Sequence, residues 1–309
     1  MLSTCRSLSA TAAPHCRRRA PALSWGITHQ HRAPLRPRAA GRGIATSASV
    51  GEERVALVQG ASRGIGLEFV RQLLERPGYQ VIATCRQPER AEGLAGLREA
   101  HAGRLQVVPL DLLEPESIER AVDTVAASHS HLDLLINVSA VLHIPGKMVP
   151  ETALSRISAD AMQLSFLTNA VGPMLTCQQF MPLLAAAAAE SGASDTRPAV
   201  VANMSARVGS IGDNRLGGWY SYRGSKAALN QMTKTMSLEV ARRKSKVACL
   251  LLHPGTTATD LSEPFQKNVK PEMLFPVDRT VRQLLAIIDG TTMEDNGRYV
   301  AWDGQDIPW

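Results

Sequence analysis

Two side chains four residues apart, Tyr222 and Lys226, set the chemistry to be explained; they lie in the run Trp219-Tyr-Ser-Tyr-Arg-Gly-Ser-Lys226. On a helix, positions i and i+4 share one face, with Cβ atoms roughly 5–6 Å apart. A phenol with a pKa near ~10 is a weak proton-transfer group at neutral pH, and bringing it near 7 takes about 4 kcal/mol. One cation at about 4 Å supplies on the order of 4 kcal/mol at an effective dielectric of ~20, before the phenolate's own desolvation is counted. A lysine alone is therefore marginal, and a helix N-terminus or a cationic ring nearby would have to help it. Tyr and Lys at this spacing are also common on any solvated helix, so the pair needs support from the rest of the chain.

That support begins at the other end. Arg54-Val-Ala-Leu-Val-Gln59 is a short apolar run that stops at Gly60-Ala-Ser-Arg-Gly64-Ile-Gly66, and an amphipathic stretch through Leu74 follows. Strand, glycine turn and helix in that order let a backbone approach a pyrophosphate, which then rests on the helix N-terminal amides. The alternation continues with strands at 80–84, 105–108 and 132–136 and helices at 89–100 and 115–128. It predicts an α/β fold with a doubly wound parallel sheet and helices on both faces. Gly60, Thr84, Asp111 and Asn137 all fall at strand carboxyl ends, where such sheets bind ligands. Further on come a long apolar helix over 161–189 carrying Asn169, a strand over 199–204 and the Tyr222–Lys226 helix to about 243. A sixth strand, 247–252, ends at His253-Pro254-Gly255; a polar loop over 256–275, a helix near 276–289 and a last strand around 298–302 complete one domain from about 52 to 309.

The end of the second strand selects the cofactor. An acid there would hold the ribose 2′-hydroxyl of NAD, but the positions read Thr84-Cys85-Arg86. Arg63 in the glycine loop adds a second guanidinium, and two of them suit a 2′-phosphate, which favours NADP over NAD.

The first fifty residues stand apart. They hold eight arginines and no Asp or Glu, and they lack the unbroken apolar run of a secretory signal. Residues 1–50 are expected to be an organellar transit peptide, mitochondrial before chloroplast, with Arg42-Gly-Ile-Ala-Thr46 resembling a processing site. Formal net charge over the whole chain is +6; without those eight arginines, 26 basic residues face 28 acids. The basicity thus belongs to the leader, and nucleic acid is not expected as a partner. Cys85, Cys177 and Cys249 lack paired spacing, and the histidines (His129, His131, His143, His253) lack ligand spacing. A reduced compartment and no metal follow. No uninterrupted apolar run reaches transmembrane length.

Taken in order, Gly60-x3-Gly64-x-Gly66, Asp111, Asn137, Asn169, Tyr222-x3-Lys226 and Pro254-Gly255 resemble the single-domain short-chain dehydrogenase/reductases over essentially all of 52–309. Gln59-Gly-Ala-Ser-Arg-Gly-Ile-Gly66, Gly217-Gly-Trp-Tyr-Ser-Tyr-Arg-Gly-Ser-Lys226 and the closing Ala301-Trp-Asp-Gly-Gln-Asp-Ile-Pro-Trp309 are similar to the C-factor-type branch, in a plant organellar member. The resemblance implies a single-domain Rossmann fold of about seven strands and a reductase or dehydrogenase acting on a small carbonyl or alcohol. It also implies homodimers or homotetramers built on helices 161–189 and 220–243. Tyr222 resembles the family's general acid, Lys226 the group that lowers its pKa and bonds the nicotinamide ribose, and Asn169 the holder of a relay water. Asp111 would contact the adenine and Asn137 the loop beside the cofactor. Ser62, Arg63, Ile65, Arg86, Leu112, Pro254, Gly255 and Thr257 are further cofactor contacts by this resemblance.

Two departures stand out. Asn137-Val-Ser-Ala140 replaces Asn-Asn-Ala-Gly, so a methyl crowds the nicotinamide side. In Met204-Ser-Ala-Arg-Val-Gly209, Ala206 occupies the catalytic serine's place. Ser205 at a distorted strand end, Ser210 swung in from the next loop, or no hydroxyl at all remain open. A one-residue shift along a strand turns a side chain to the opposite face. A missing donor of this kind is worth on the order of 10²–10³ in rate. A second function follows from the same gap: an NADP(H)-binding sensor or scaffold with little turnover. His143, Trp219, Leu142, Ile144, Met148, Phe265 and Phe275 fall on loops expected around an apolar substrate cleft.

Overall fold

A computed structural model describes residues 53–190 and 197–309 of the chain. The expected leader, residues 1–50, lies outside the described residues.

The apolar runs become strands because most are buried on both faces, the edge strand at 105–109 being only partly so. β1 (Arg54–Gln59), β2 (Tyr79–Cys85), β3 (Leu105–Pro109), β4 (Leu134–Asn137), β5 (Ala199–Met204), β6 (Val247–His253) and β9 (Tyr299–Ala301) form one seven-stranded sheet. Its order is β3-β2-β1-β4-β5-β6-β9 and every pairing is parallel. The chain leaves β1 for β2 and β3 on one side, then returns to β4 beside β1. This reversal puts a crevice at the carboxyl ends of β1 and β4. The doubly wound α/β expectation describes this Rossmann fold.

Alternate residues of each strand feed two apolar layers, as a period of two requires. Ala56 and Val58 of β1 join Phe69 and Leu73 of α1 (Gly64–Leu74), Leu94 of α2 (Glu92–Ala100) and Leu284 of α7 (Val277–Asp289). Val55 and Leu57 join Ile118 of α3 (Pro115–Ala126), Phe180 and Leu184 of α5 (Gly172–Glu190) and Val240 of α6 (Tyr220–Arg242).

Two elements differ from the sequence reading. The helix expected over 161–189 starts at Ala159 as α4 (Ala159–Phe166). It passes through a π-turn, Leu167–Val171, and resumes as α5, so Asn169 sits in a wide turn rather than in regular helix. Single π-turns inside helices are frequent at functional sites. The polar loop over 256–275 is structured. β7 (Thr256–Thr257) pairs with β8 (Leu274–Phe275), and 3-10 turns at Glu263–Asn268 and Pro271–Met273 lie between them. Hydrophobic periodicity is blind to such two-residue pairings.

Among the described residues, no helix is long and apolar enough to cross a membrane. Phe180 is fully buried between α5 and the sheet. Phe180→Ala is expected to lower the unfolding free energy by about 3–5 kcal/mol, read from urea denaturation of the full chain.

Candidate active site

The site is assembled at the carboxyl ends of β1, β4, β5 and β6. Its floor is the turn after β1. Gly60 and Gly64 have φ of 81° and 55°, and a Cβ on Gly66 would lie 2.1 Å from the Gly60 carbonyl oxygen. Only glycine allows α1 to start this close to the strand. No side chain caps α1, so the turn presents the free amides an anion would take. A Cβ on Gly60 would meet Ser139 Oγ at 2.2 Å, and Gln59 Nε2 donates to that hydroxyl at 2.9 Å. Ser139, from the divergent stretch after Asn137, thus closes directly over the glycine turn. Nearby, the Thr84 hydroxyl at the end of β2 is buried with no hydrogen-bond partner among the described residues. A glycine cradle, uncapped amides and an unsatisfied hydroxyl fit a dinucleotide's phosphates and adenosine side.

The two predicted phosphate-binding arginines lie at the surface. Arg86 is exposed. Arg63 pairs with Asp260 at 3.0 Å, with three-quarters of both side chains in solvent. Such exposed pairs contribute roughly 0–1 kcal/mol, so a phosphate can displace Asp260. Ser62 is exposed and Ile65 partly so, at the lip of the same turn.

α6 presents the reactive pair. Tyr222 and Lys226 are both buried, and Lys226 Nζ lies 5.8 Å from the phenol ring centroid. The ammonium donates to the Met204 carbonyl at the end of β5, at 2.8 Å. Gly209 lets the chain after β5 pack on α6: a Cβ there would approach Lys226 Cβ to 2.8 Å. Burial pulls the Lys226 pKa down to about 7 from 10.5. Burial, with a smaller contribution from Tyr299, pushes the Tyr222 phenol well above its usual 10. The sequence reading had Lys226 acidifying Tyr222. Burial of the phenol acts in the opposite direction, favouring its neutral form.

Several of the expected site residues have side-chain partners within the fold. Asn169 is fully buried and both ends of its amide are engaged. Oδ1 accepts from Val141 N at 2.7 Å, while Nδ2 donates to Val141 O at 2.9 Å and Ser225 Oγ at 3.0 Å. It clamps the loop after β4 to α6. Asn137 turns inward, donating to Asn203 Oδ1 at 2.8 Å rather than to the cofactor loop. Leu112 is buried against Gly172, and Thr257 Oγ1 meets Thr280 Oγ1 at 3.1 Å, so neither side chain is open to a ligand. Asp111 Oδ1 accepts from Leu113 N at 2.9 Å while the residue stays partly exposed. Gly255, with φ of 74°, follows Pro254 at a close approach to the Phe275 ring.

Both serines offered for the vacant slot are hydrogen-bonded within the fold. Ser205 Oγ donates to Asn230 Oδ1 at 2.5 Å, and Ser210 Oγ to the Pro308 carbonyl of the C-terminal tail. Ala206 holds extended backbone at φ −154°, and its carbonyl accepts from Tyr299 Oη at 2.6 Å. The strand stays regular through Met204, which turns Ser205 away as the period of two dictates.

Sequence reasoning missed Glu151. Although buried, its carboxylate accepts from Ser221 N at 3.1 Å and from Ser221 Oγ, and its backbone carbonyl accepts from Trp219 N at 2.5 Å. It caps the N-terminus of α6 from seventy residues upstream, a distance at which no local pattern announces a cap. Among the described residues no group of three or more His, Cys, Asp or Glu could hold a metal. The thiols of Cys85, Cys177 and Cys249 are buried and raised by desolvation, Cys177 to about 12.

Comparison with known proteins places this arrangement. The short chain dehydrogenase family model matches residues 54–270, and the chain belongs to that family. It resembles the crystal structure of NADPH-bound carbonyl reductase from chicken fatty liver, with a TM-score of 0.73 and 34% identity over 84% of this chain and 99% of that one. It is 33% identical to 1-hydroxy-2-glutathionyl-2-methyl-3-butene dehydrogenase of Rhodococcus sp., over 82% of this chain and 98% of that protein. It is also 32% identical to C-signal of Myxococcus xanthus, over 58% of this chain and 93% of that protein. An oxidoreductase family whose solved neighbours hold NADP(H) agrees with the cradle described above.

The buried lysine makes stability depend on pH. Between about 7 and 10.5 the unfolded chain binds the Lys226 proton and the folded chain does not, so unfolding free energy rises with pH across that window. Urea titrations at pH 7.5 and 9.5 are expected to show a wild-type slope steeper than Lys226→Met by up to about 1.4 kcal/mol per pH unit.

Proposed function

We propose that this protein is an NADP-dependent reductase of a small, lipophilic aldehyde or ketone, with Tyr222 as the general acid. One observation carries the reading: Tyr222 is buried on α6 with Lys226 Nζ 5.8 Å from its ring centroid, in a chain whose first strand ends in a glycine-built dinucleotide cradle. A protonated phenol is the form that carbonyl reduction consumes. NADPH, when bound, supplies the hydride. The chain's own residues do the rest. Gly60, Gly64 and Gly66 admit the pyrophosphate, and Arg63 and Arg86 take the 2′-phosphate. Tyr222 Oη hydrogen-bonds the carbonyl oxygen and gives up its proton. Lys226, fixed on the Met204 carbonyl, returns a proton to the phenolate and holds the nicotinamide ribose.

A second reading is favoured by one specific observation. Ala206 stands in the serine position, and the Ser205 and Ser210 hydroxyls are engaged with Asn230 and the Pro308 carbonyl. The protein would then bind NADPH tightly as a sensor or scaffold and turn over slowly. The relatives' chemistry and the protonated phenol support the reductase.

The proposal extends to context. Residues 1–50 act as an organellar address, mitochondrial before chloroplast, in a plant member of the C-factor-type branch. The mature chain pairs through the helices at 161–189 and 220–243 as a homodimer or homotetramer. Import of a reporter fused to residues 1–50, and the mass of the purified chain in solution, check these two statements.

With NADPH and a panel of aldehydes and ketones, Tyr222→Phe is expected to lower kcat by about 10²–10⁴-fold without weakening NADPH binding. Ala206→Ser is expected to raise kcat. Tight NADPH binding with no turnover on any carbonyl, unchanged by Tyr222→Phe, would establish the sensor instead. Arg63→Ala and Arg86→Ala are each expected to weaken NADPH by about 10- to 100-fold and NADH by much less, read by calorimetric titration.

A further inference from the structure

Three consecutive residues ahead of α6 adopt the left-handed conformation: Gly217 at φ 65°, Gly218 at φ 66° and Trp219 at φ 52°. Glycine takes such angles freely, and the first two positions use it. The third carries the largest side chain there is. A bulky residue in this region is an outlier that persists only where the surroundings over-determine it, and such residues gather at functional sites. Here Glu151 supplies the constraint, since its carbonyl accepts from Trp219 N at 2.5 Å and its carboxylate caps the next turn. The Trp219 carbonyl accepts from Arg223 N at 2.8 Å, which starts α6. The backbone would be served at least as well by glycine, so the reason for tryptophan lies in the ring.

The ring stands beside the proposed acid. Its centroid lies 6.2 Å from that of Tyr222, with the planes at 76°. On its other side Phe265, from the 3-10 turn between β7 and β8, lies 5.0 Å away. His143, from the loop after β4, meets Phe265 edge-on at 6.0 Å. Three loops distant in sequence thus bring aromatic rings together next to the Tyr222 phenol. Trp219, Phe265 and His143 all remain partly exposed, so none is absorbed into the core. A flat π-surface flanking the proton donor favours a substrate that is itself planar, by offset or edge-to-face contact.

We propose that Trp219 is a specificity-determining residue, held in its left-handed conformation by Glu151, and that it selects aryl or conjugated aldehydes and ketones over compact aliphatic ones. This rests on the reductase reading above and narrows its substrate class.

The test compares 4-nitrobenzaldehyde with butanal as substrates of the full chain, NADPH being the reductant, for wild type, Trp219→Gly and Trp219→Phe. Trp219→Gly suits the backbone angle, so its melting temperature is expected to equal or exceed that of wild type. Its kcat/KM for 4-nitrobenzaldehyde is expected to fall about 5- to 10-fold, while that for butanal changes less than about threefold. Trp219→Phe keeps a ring and is expected to retain most of the preference. In parallel, calorimetry of 4-nitrobenzyl alcohol binding to the NADPH complex, which cannot react, is expected to show a matching weakening in Trp219→Gly. Equal losses on both aldehydes, a lowered melting temperature with equal losses, or no loss at all would overturn the specificity role. Reduction of butanal by wild type without preference for the aryl aldehyde overturns this inference alone. Absence of both turnover and alcohol binding overturns it together with the reductase reading.

Discussion

An ammonium group cannot be taken out of water without a partner, and the site is arranged around that requirement. Lys226 is 1% exposed, and its one hydrogen bond is to the Met204 carbonyl, the last of β5. That contact joins α6 to the carboxyl edge of the sheet. It needs α6 to lie close against the turn after β5, which Gly209 permits because any side chain there would strike Lys226. Even so satisfied, the group is desolvated enough to lose most of its basicity, and its neighbour Tyr222 is pushed the opposite way by the same burial. One environment thus shifts the two groups in opposite directions, because burial disfavours the charged form of each.

Around this pair the loops are fastened by interactions of long sequence separation. Asn169, in the π-turn between α4 and α5, grips the backbone of Val141 on both sides and reaches Ser225 on α6. Glu151 caps α6 and fixes Trp219. Tyr299 on the last strand and Pro308 in the C-terminal tail secure Ala206 and Ser210. Buried polar networks of this kind rigidify when every member is satisfied. These hydrogen bonds tie the loops around the pair, while the two large apolar clusters lie on opposite faces of the sheet.

The architecture was largely legible because two periodicities write it down. Apolar runs ended by glycine or by polar residues marked the strands of the main sheet, and β1 and β5 matched to the residue. The glycine turn and the Tyr222–Lys226 spacing were equally visible, since both are local patterns. Less visible were features that depend on what lies across the fold. The π-turn at Asn169 has no compositional mark. β7 and β8, two residues each, are defined only by their pairing.

What the chain alone determined is the sheet, its crevice and the one-turn spacing of Tyr222 and Lys226, because burial on two faces and helical spacing are properties of neighbouring residues. Tertiary structure decided the burial and the partners. How far the pKa values of Lys226 and Tyr222 move depends on how much water each keeps, and desolvation depends on every element packed above them. The fates of Ser205, Ser210, Asn137 and Glu151 likewise hang on hydrogen-bond partners between 25 and 98 residues away. Spacing along a chain cannot specify such partners; only folding brings them within 3 Å.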